Sequence, residues 1–216
     1  MKAMILAAGL GLRMRPLTLT TPKPLVKVRG QALIDYHLSA FKKANISEVV
    51  INVHHLGQQI IDHVEQQWGA EFNLHFFKEQ EILGTGGGIF QALSVFDNDP
   101  FLVVSADIFT DYDYEKLPQH LHGLAHLVMI DNPEFHPKGD FYLDQNGLLS
   151  LQTGKSLTYA NIGVFHPDLF KSSLGSKFEM RDVLLPAIRD EKISAEHYQG
   201  FWENIGTIAQ LDALNS

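Results

Sequence analysis

Residues 1–28, MKAMILAAGLGLRMRPLTLTTPKPLVKV, decide the fold class. The run Ala3–Ala7 reads as a buried strand, and the AAGLG around it is how an α/β chain exposes backbone N–H groups to phosphate beyond a strand's carboxyl end. The dinucleotide pattern G-x-G-x-x-G fails, because Met14 stands at the third glycine and Pro16 interrupts the helix expected there. The P-loop pattern G-x-x-x-x-G-K-[S/T] is absent as well. Charge is then left to explain: Arg13, Arg15 and Lys23 crowd a loop stiffened by Pro16, Pro22 and Pro24. Arginine offers a planar fork to two phosphate oxygens and lysine a compact point charge, a pair suited to a triphosphate. A solvated basic loop fits the spacing alone equally well.

Outward from that loop, apolar runs alternate with helical periodicity. Leu33, Tyr36, His37, Leu38, Ala40, Phe41 and Ala44 share a helix, Val49–Val53 is a second strand, and Ile60, Ile61, Val64 and Trp68 mark a second helix. Leu74–Phe77 then reads as strand, Ile89–Leu93 as helix and Phe101–Val104 as strand. This alternation predicts an α/β fold, a Rossmann-like and mostly parallel sheet with helices on both faces. After about Asp131 the pattern loosens into Phe141–Leu143, Leu148–Leu151 and Thr158–Phe165, read as a small mixed β appendage. Asp182–Arg189 is helical, followed by Phe201–Ile205 and a last helix near Thr207–Leu214. With no repeat or linker, residues 1–216 are expected to form one domain, about 1–130 as nucleotide-binding core and about 131–216 as sugar-binding part.

Composition narrows the function. The chain has 216 residues, 45% hydrophobic and 19% charged, with a formal net charge of −8, which argues against general nucleic-acid binding. It contains no cysteine, so disulfides, thiolate catalysis and cysteine-ligated zinc are excluded. The apolar run Ala3–Ala8 is too short for a signal peptide or a membrane span, and the expected location is the cytoplasm, without a membrane partner. The histidines show no zinc spacing; His54 and His55, adjacent on a strand, would face opposite ways. Oligomeric state is left open.

LAAGLGLRMRPLTLTTPKPLVKVRGQALIDY, with GLGLRMRPLT, the lysine of TPKPL and the later LGTGGG, resembles the sugar-1-phosphate nucleotidyltransferases. The resemblance implies that Arg13 and Lys23 hold the nucleotide phosphates as the catalytic cations, with Arg15 on a variable position. It implies a nucleotide site at Ala7, Ala8, Gly9, Gly11 and Leu12, extended toward the base by Glu79, Gly84 and Thr85 of EQEILGTGGG. In FLVVSAD the family's magnesium-binding aspartate falls on Asp107, behind Ala106 where glycine is usual. In FWENIGT the second magnesium carboxylate is replaced by Asn204, which offers a carbonyl oxygen but no charge. Ser105, Asp140, Asn161 and Glu179 are the implied sugar-side residues. On the residues alone, Asp107 could equally be a turn residue, Asp140 a turn aspartate, and the glycine run a flexible loop.

The implied chemistry is direct attack of a sugar 1-phosphate on the α-phosphorus of a nucleoside triphosphate. A phosphate monoester, with a second pKa of about 6, needs no strong base at neutral pH. No G-x-S-x-G elbow or cysteine offers a covalent carrier. GGGIF, GLAHLV, DNP, GDF and EHYQGFW look like the uridylyltransferases acting on N-acetylmuramate 1-phosphate in cell-wall recycling, which favours UTP. Mannose-1-phosphate guanylyltransferase is the alternative enzyme, and a non-catalytic nucleotide-sugar sensor the alternative suggested by Asn204.

Overall fold

A computed structural model describes residues 1–171 and 177–216. In chain order, β1 (Lys2–Leu6) runs into the basic loop, closed by a short hairpin of β2 (Lys27–Val28) and β3 (Gln31–Ala32). Then come α1 (Leu33–Lys43), β4 (Glu48–Val53), α2 (Gly57–Trp68), β5 (Asn73–Lys78) and α3 (Gly84–Ala92). The middle of the chain holds β6 (Phe101–Ser105), β7 (Ile108–Thr110), β8 (Ala125–Ile130), β9 (Phe141–Leu143), β10 (Leu149–Ser150) and β11 (Lys155–Phe165). It ends with α4 (Met180–Arg189), β12 (Ile193–His197), β13 (Trp202–Asn204) and α5 (Ile208–Asn215).

The main sheet runs β10-β9-β11-β6-β1-β4-β5, with β8 paired to β11 and β12 to β8. Strands β5, β4, β1 and β6 are parallel, as expected for the α/β alternation, while β11 joins β6 antiparallel with Ile162 opposite Val104. Successive side chains of a strand face opposite ways, and both faces are buried here. Ala3, Ile5, Val49 and Ile51 meet Ile34, Leu38 and Phe41 of α1 and Ile60, Ile61 and Val64 of α2. Met4, Val50, Phe101 and Val103 meet Ile89 of α3 and Val183, Leu184 and Ile188 of α4 on the other side. Phe96 stacks on Phe101 with ring centroids 3.9 Å apart, closing that second core.

Three features differ from the sequence reading. Strand β8 lies in the unassigned stretch between Val104 and Asp131, β12 lies in the loose carboxyl part, and β11 is an unbroken strand from Lys155 rather than a short piece from Thr158. The mixed extension is therefore continuous with the parallel core. The glycine run is helical: α3 begins at Gly84, not Ile89. Its glycines let α3 approach its neighbours, since a Cβ on Gly86 would collide with the Phe178 ring and one on Gly88 would lie 2.7 Å from Asn52 Nδ2. Packing outweighs the poor helix propensity of glycine. Lastly, Met14, at the position where a third glycine failed, is fully buried with Val26, Val28, Leu33, Ile205 and Leu211, so the basic loop has a small core of its own.

Candidate active site

The parallel strands β1, β4, β5 and β6 end together, and their carboxyl ends deliver Ala7, His54, Glu79 and Asp107 to one edge of the sheet. This is where open α/β sheets bind ligands. The two loop glycines serve different purposes. Gly11 has φ +61°, and a Cβ there would lie 2.8 Å from Thr18 Cγ2; the Thr18 hydroxyl donates to the Gly11 carbonyl at 2.7 Å. Gly9 has no atom within 4 Å of a would-be Cβ, so its face is bare toward the cavity. The loop is tied to the sheet by Asn52, whose Oδ1 accepts from the Ala7 N–H at 2.9 Å. Asn52 Nδ2 donates in turn to buried Glu79 at 2.6 Å, and the other Glu79 oxygen accepts from the Leu83 N–H at 3.0 Å.

A cavity of about 500 Å³ opens over this loop. Its wall carries the predicted nucleotide residues Ala7, Ala8, Gly9, Gly11, Leu12, Arg13, Lys23, Glu79, Gly84 and Thr85, together with Asp107. Lys23 Nζ and Asp107 Oδ2 form a direct ion pair at 2.5 Å, both side chains largely shielded. The expected phosphate cation and the expected metal ligand thus neutralise each other, a relation that lies 84 positions apart in sequence and was invisible there. Arg13 is exposed and makes no ion pair among the described residues; its guanidinium lies against Gly206, where a Cβ would come within 2.8 Å of Nη2. Glycine at that position leaves the arginine free to face the cavity.

A second cavity, of about 330 Å³, adjoins the first and shares Leu6, Thr85 and Ser105 with it. Asp140, Asn161 and Asn204 line this second space, as does Ser105, which stands at the junction. Asn161 sits at φ +57° within a register shift of β11 against β8. A bulge of this kind re-aims a side chain, and asparagine tolerates the left-handed region better than most residues. Asp140 accepts from the Tyr159 N–H at 2.9 Å and from His136 Nε2 at 3.1 Å, so it anchors the hairpin while facing the cavity. Glu179 is elsewhere: it lines the first cavity, accepts from the Thr85 N–H and hydroxyl at 3.2 and 2.9 Å, and caps α4. Sequence reasoning assigned no role to His136, Tyr159, Arg181 and Trp202 of the second cavity; the first three belong to no motif, and Trp202 stands in FWENIGT beside Asn204.

The metal donors are sparse. Among the described residues no group of three His, Asp or Glu side chains could hold a metal. Asn204 is paired in register with Ile108, next to Asp107, and its side chain makes no hydrogen bond among the described residues. His54 and His55 are engaged with the carbonyls of Glu79 and Thr18 at 2.8 Å each. His37 is buried against the Tyr114 hydroxyl at 2.9 Å, and burial lowers its pKa to about 4 despite the nearby Asp107 charge, so the ring is neutral.

A family model described as nucleotidyl transferase matches residues 2–141, which covers the parallel core and all of the first cavity's lining except Glu179 and Gly206. The chain belongs to the nucleotidyl transferase family. It is 40% identical to the N-acetylmuramate alpha-1-phosphate uridylyltransferase of Neisseria meningitidis over 98% of this chain and 95% of that protein. It is 28% identical to the mannose-1-phosphate guanylyltransferase catalytic subunit beta of Dictyostelium discoideum over 95% of this chain but 61% of that protein. In fold, this family member matches a Bacillus anthracis protein crystallised with sucrose and provisionally assigned as a glucose-1-phosphate thymidylyltransferase. The TM-score is 0.85 at 18% identity, covering 99% of this chain and 93% of that one. It is a sugar-1-phosphate nucleotidyltransferase. No helix among its described residues is long and apolar enough to cross a membrane.

Proposed function

We propose that this enzyme transfers a uridylyl group from UTP to N-acetylmuramate 1-phosphate, releasing pyrophosphate and the UDP-sugar. The observation that carries the reading is the junction of two cavities at Leu6, Thr85 and Ser105, with the Lys23–Asp107 pair beside it. The sugar and base are supported by the relative that is 40% identical over 98% of the chain.

In this reading the triphosphate lies over Ala7–Arg13, where backbone N–H groups and bare Gly9 allow close approach. Arg13 holds the departing pyrophosphate. Lys23 moves from Asp107 to the reacting phosphates, which replaces one ion pair by another and frees the carboxylate. The sugar phosphate dianion enters through the second cavity and attacks the α-phosphorus in line, so the protein's contribution is positioning and charge compensation.

Magnesium fits the donors at the junction. The Asp107 carboxylate and the Asn204 amide oxygen are hard oxygen ligands, and a divalent cation of this size completes its shell with water and substrate phosphate. When bound it reduces the repulsion between the two phosphorylated substrates. Asn204 brings no charge, so the metal depends more on Asp107 and the phosphates. We assign the reaction to the cytoplasm and to peptidoglycan recycling, the reuse of cell-wall sugar.

A matrix of UTP, GTP and dTTP against N-acetylmuramate, N-acetylglucosamine and mannose 1-phosphates, with magnesium, tests the reading by nucleotide-sugar product and pyrophosphate release. UDP-N-acetylmuramate is the expected major product. GDP-mannose as the major product overturns the assignment of sugar and base. Binding without pyrophosphate release at every metal concentration identifies a sensor, the outcome that uncharged Asn204 would favour.

A further inference from the structure

We infer that Arg181 reads a carboxylate on the sugar and so makes the second cavity selective for an acidic sugar 1-phosphate over its neutral counterpart; the inference rests on the functional reading above. Three lining side chains of that cavity carry or can carry full charge: His136, Asp140 and Arg181. The first two satisfy each other, with His136 Nε2 at 3.1 Å from Asp140 Oδ1. Arg181 belongs to no ion pair among the described residues.

Its position is electrostatically unfavourable for a purely structural cation. Arg181 is the second residue of α4, where the positive end of the helix dipole disfavours a cation and where Glu179 and Asp182 form the capping box. The capping carboxylates are occupied by backbone and Thr85 groups: Glu179 by Thr85, Asp182 by the Glu179 N–H at 2.9 Å. The guanidinium instead lies over the Phe141 ring, 6.0 Å from its centroid, and Phe141 is itself a buried wall of the cavity. An aromatic face holds a guanidinium in place while leaving its N–H fork directed outward.

The location also decides which anion is read. Phe141 pairs with Leu157 on β11, whereas Val104, next to junction residue Ser105, pairs with Ile162, five residues further along the same strand. The α4 backbone beside Arg181 touches the junction, where the Met180 N–H donates to Thr85 Oγ1 at 3.1 Å, and it is the guanidinium that reaches from there to Phe141, on the wall further from Ser105. A group on the far side of the sugar ring meets it. N-acetylmuramate differs from N-acetylglucosamine by a lactyl ether whose carboxylate is ionised at neutral pH, and a planar fork with parallel N–H groups is the complement of that carboxylate.

The test compares kcat/KM for N-acetylmuramate 1-phosphate and N-acetylglucosamine 1-phosphate, each with UTP and magnesium, in the wild type, Arg181→Gln and Arg181→Lys. The wild type is expected to prefer the acidic sugar. Arg181→Gln should lower the acidic-to-neutral ratio by roughly 10- to 100-fold, mainly through KM, the scale of losing a hydrogen bond to a charged group. Arg181→Lys should retain part of the ratio, because it keeps the charge and loses the fork. A wild type that uses the acidic sugar while Arg181→Gln leaves the ratio unchanged overturns the role of Arg181 alone. A wild type that uses neither of these sugars but turns over mannose 1-phosphate overturns the functional reading and this inference with it.

Discussion

The two cavities that meet at Ser105 are built in opposite ways. The first cavity takes about half of its lining from one continuous segment, Leu6 to Pro24, and the rest from the ends of β4, β5 and β6, the start of α3, Glu179 and Gly206. The second cavity takes a few residues each from β1, β6, β9, β11, α3, α4 and β13, and from the loop around His136. A phosphate is met by backbone N–H groups and fixed cations, which a short contiguous loop can present. A sugar is distinguished by its substituents, which must be met by side chains from several directions. The proposed function accordingly puts the chemistry in the first region and the discrimination in the second.

The largest expected effect lies in the first cavity. Lys23→Ala or Arg13→Ala should lower kcat by roughly a hundredfold or more, the scale of removing one preorganised charge stabiliser. Steady-state pyrophosphate release measures it, and near-normal turnover in both variants would remove the charge-based account of the first cavity. Lys23→Ala carries the additional consequence of leaving Asp107 without its 2.5 Å partner.

Stability offers the next test. Gly88→Ala places a methyl 2.7 Å from Asn52 Nδ2 and 2.8 Å from Glu79 Oε1, within the hydrogen-bonded set that holds the Ala7 N–H. An overpacked site of this kind costs about 1–3 kcal/mol. A denaturant midpoint equal to that of the wild type would mean that α3 can shift to accommodate the methyl.

On the sugar side, Asp140→Asn should raise KM for the sugar phosphate by roughly tenfold, the scale of weakening one hydrogen bond to a charged group. KM for UTP should stay within about twofold, because Asp140 lines only the second cavity. Equal increases in both KM values would show that the cavities do not act separately. The smallest expected change comes from Asn204→Asp. Restoring a charged oxygen donor beside Asp107 should lower the magnesium concentration for half-maximal rate by a few-fold, read from a metal titration at saturating substrates.

The legibility of the chain follows the same division. Strands β1, β4 and β6 and helices α1 and α2 are legible because each is a buried apolar run or a clean helical stripe, and β5, half-buried at the sheet edge, still carries the apolar residues Leu74, Phe76 and Phe77. Strand β12, ISAEH, mixes polar and apolar residues because half of it faces partly open surroundings, and in β8, AHLVMI, His126 interrupts an otherwise buried apolar run. Glycines 84 to 88 were read as preceding a helix, since propensity alone disfavours four glycines there; contact with Phe178, Asn52 and Glu79 reverses that preference. Glu179 shows the limit at the level of a site. Its position in sequence suggested the sugar, yet the capping of α4 and its bonds to Thr85 turn it toward the nucleotide cavity.

By itself the sequence determined the parallel core and a glycine-bearing basic loop after its first strand, because these depend on residue order over a few adjacent positions. Tertiary structure alone decided that Lys23 meets Asp107, that Asn161 is aimed inward by a bulge, and that Arg181 stands unpaired over Phe141. The first and last of these join residues far apart in the chain, brought within reach by the pairing of β1 with β6 and the packing of α4 over β9, and the second depends on the register of β11.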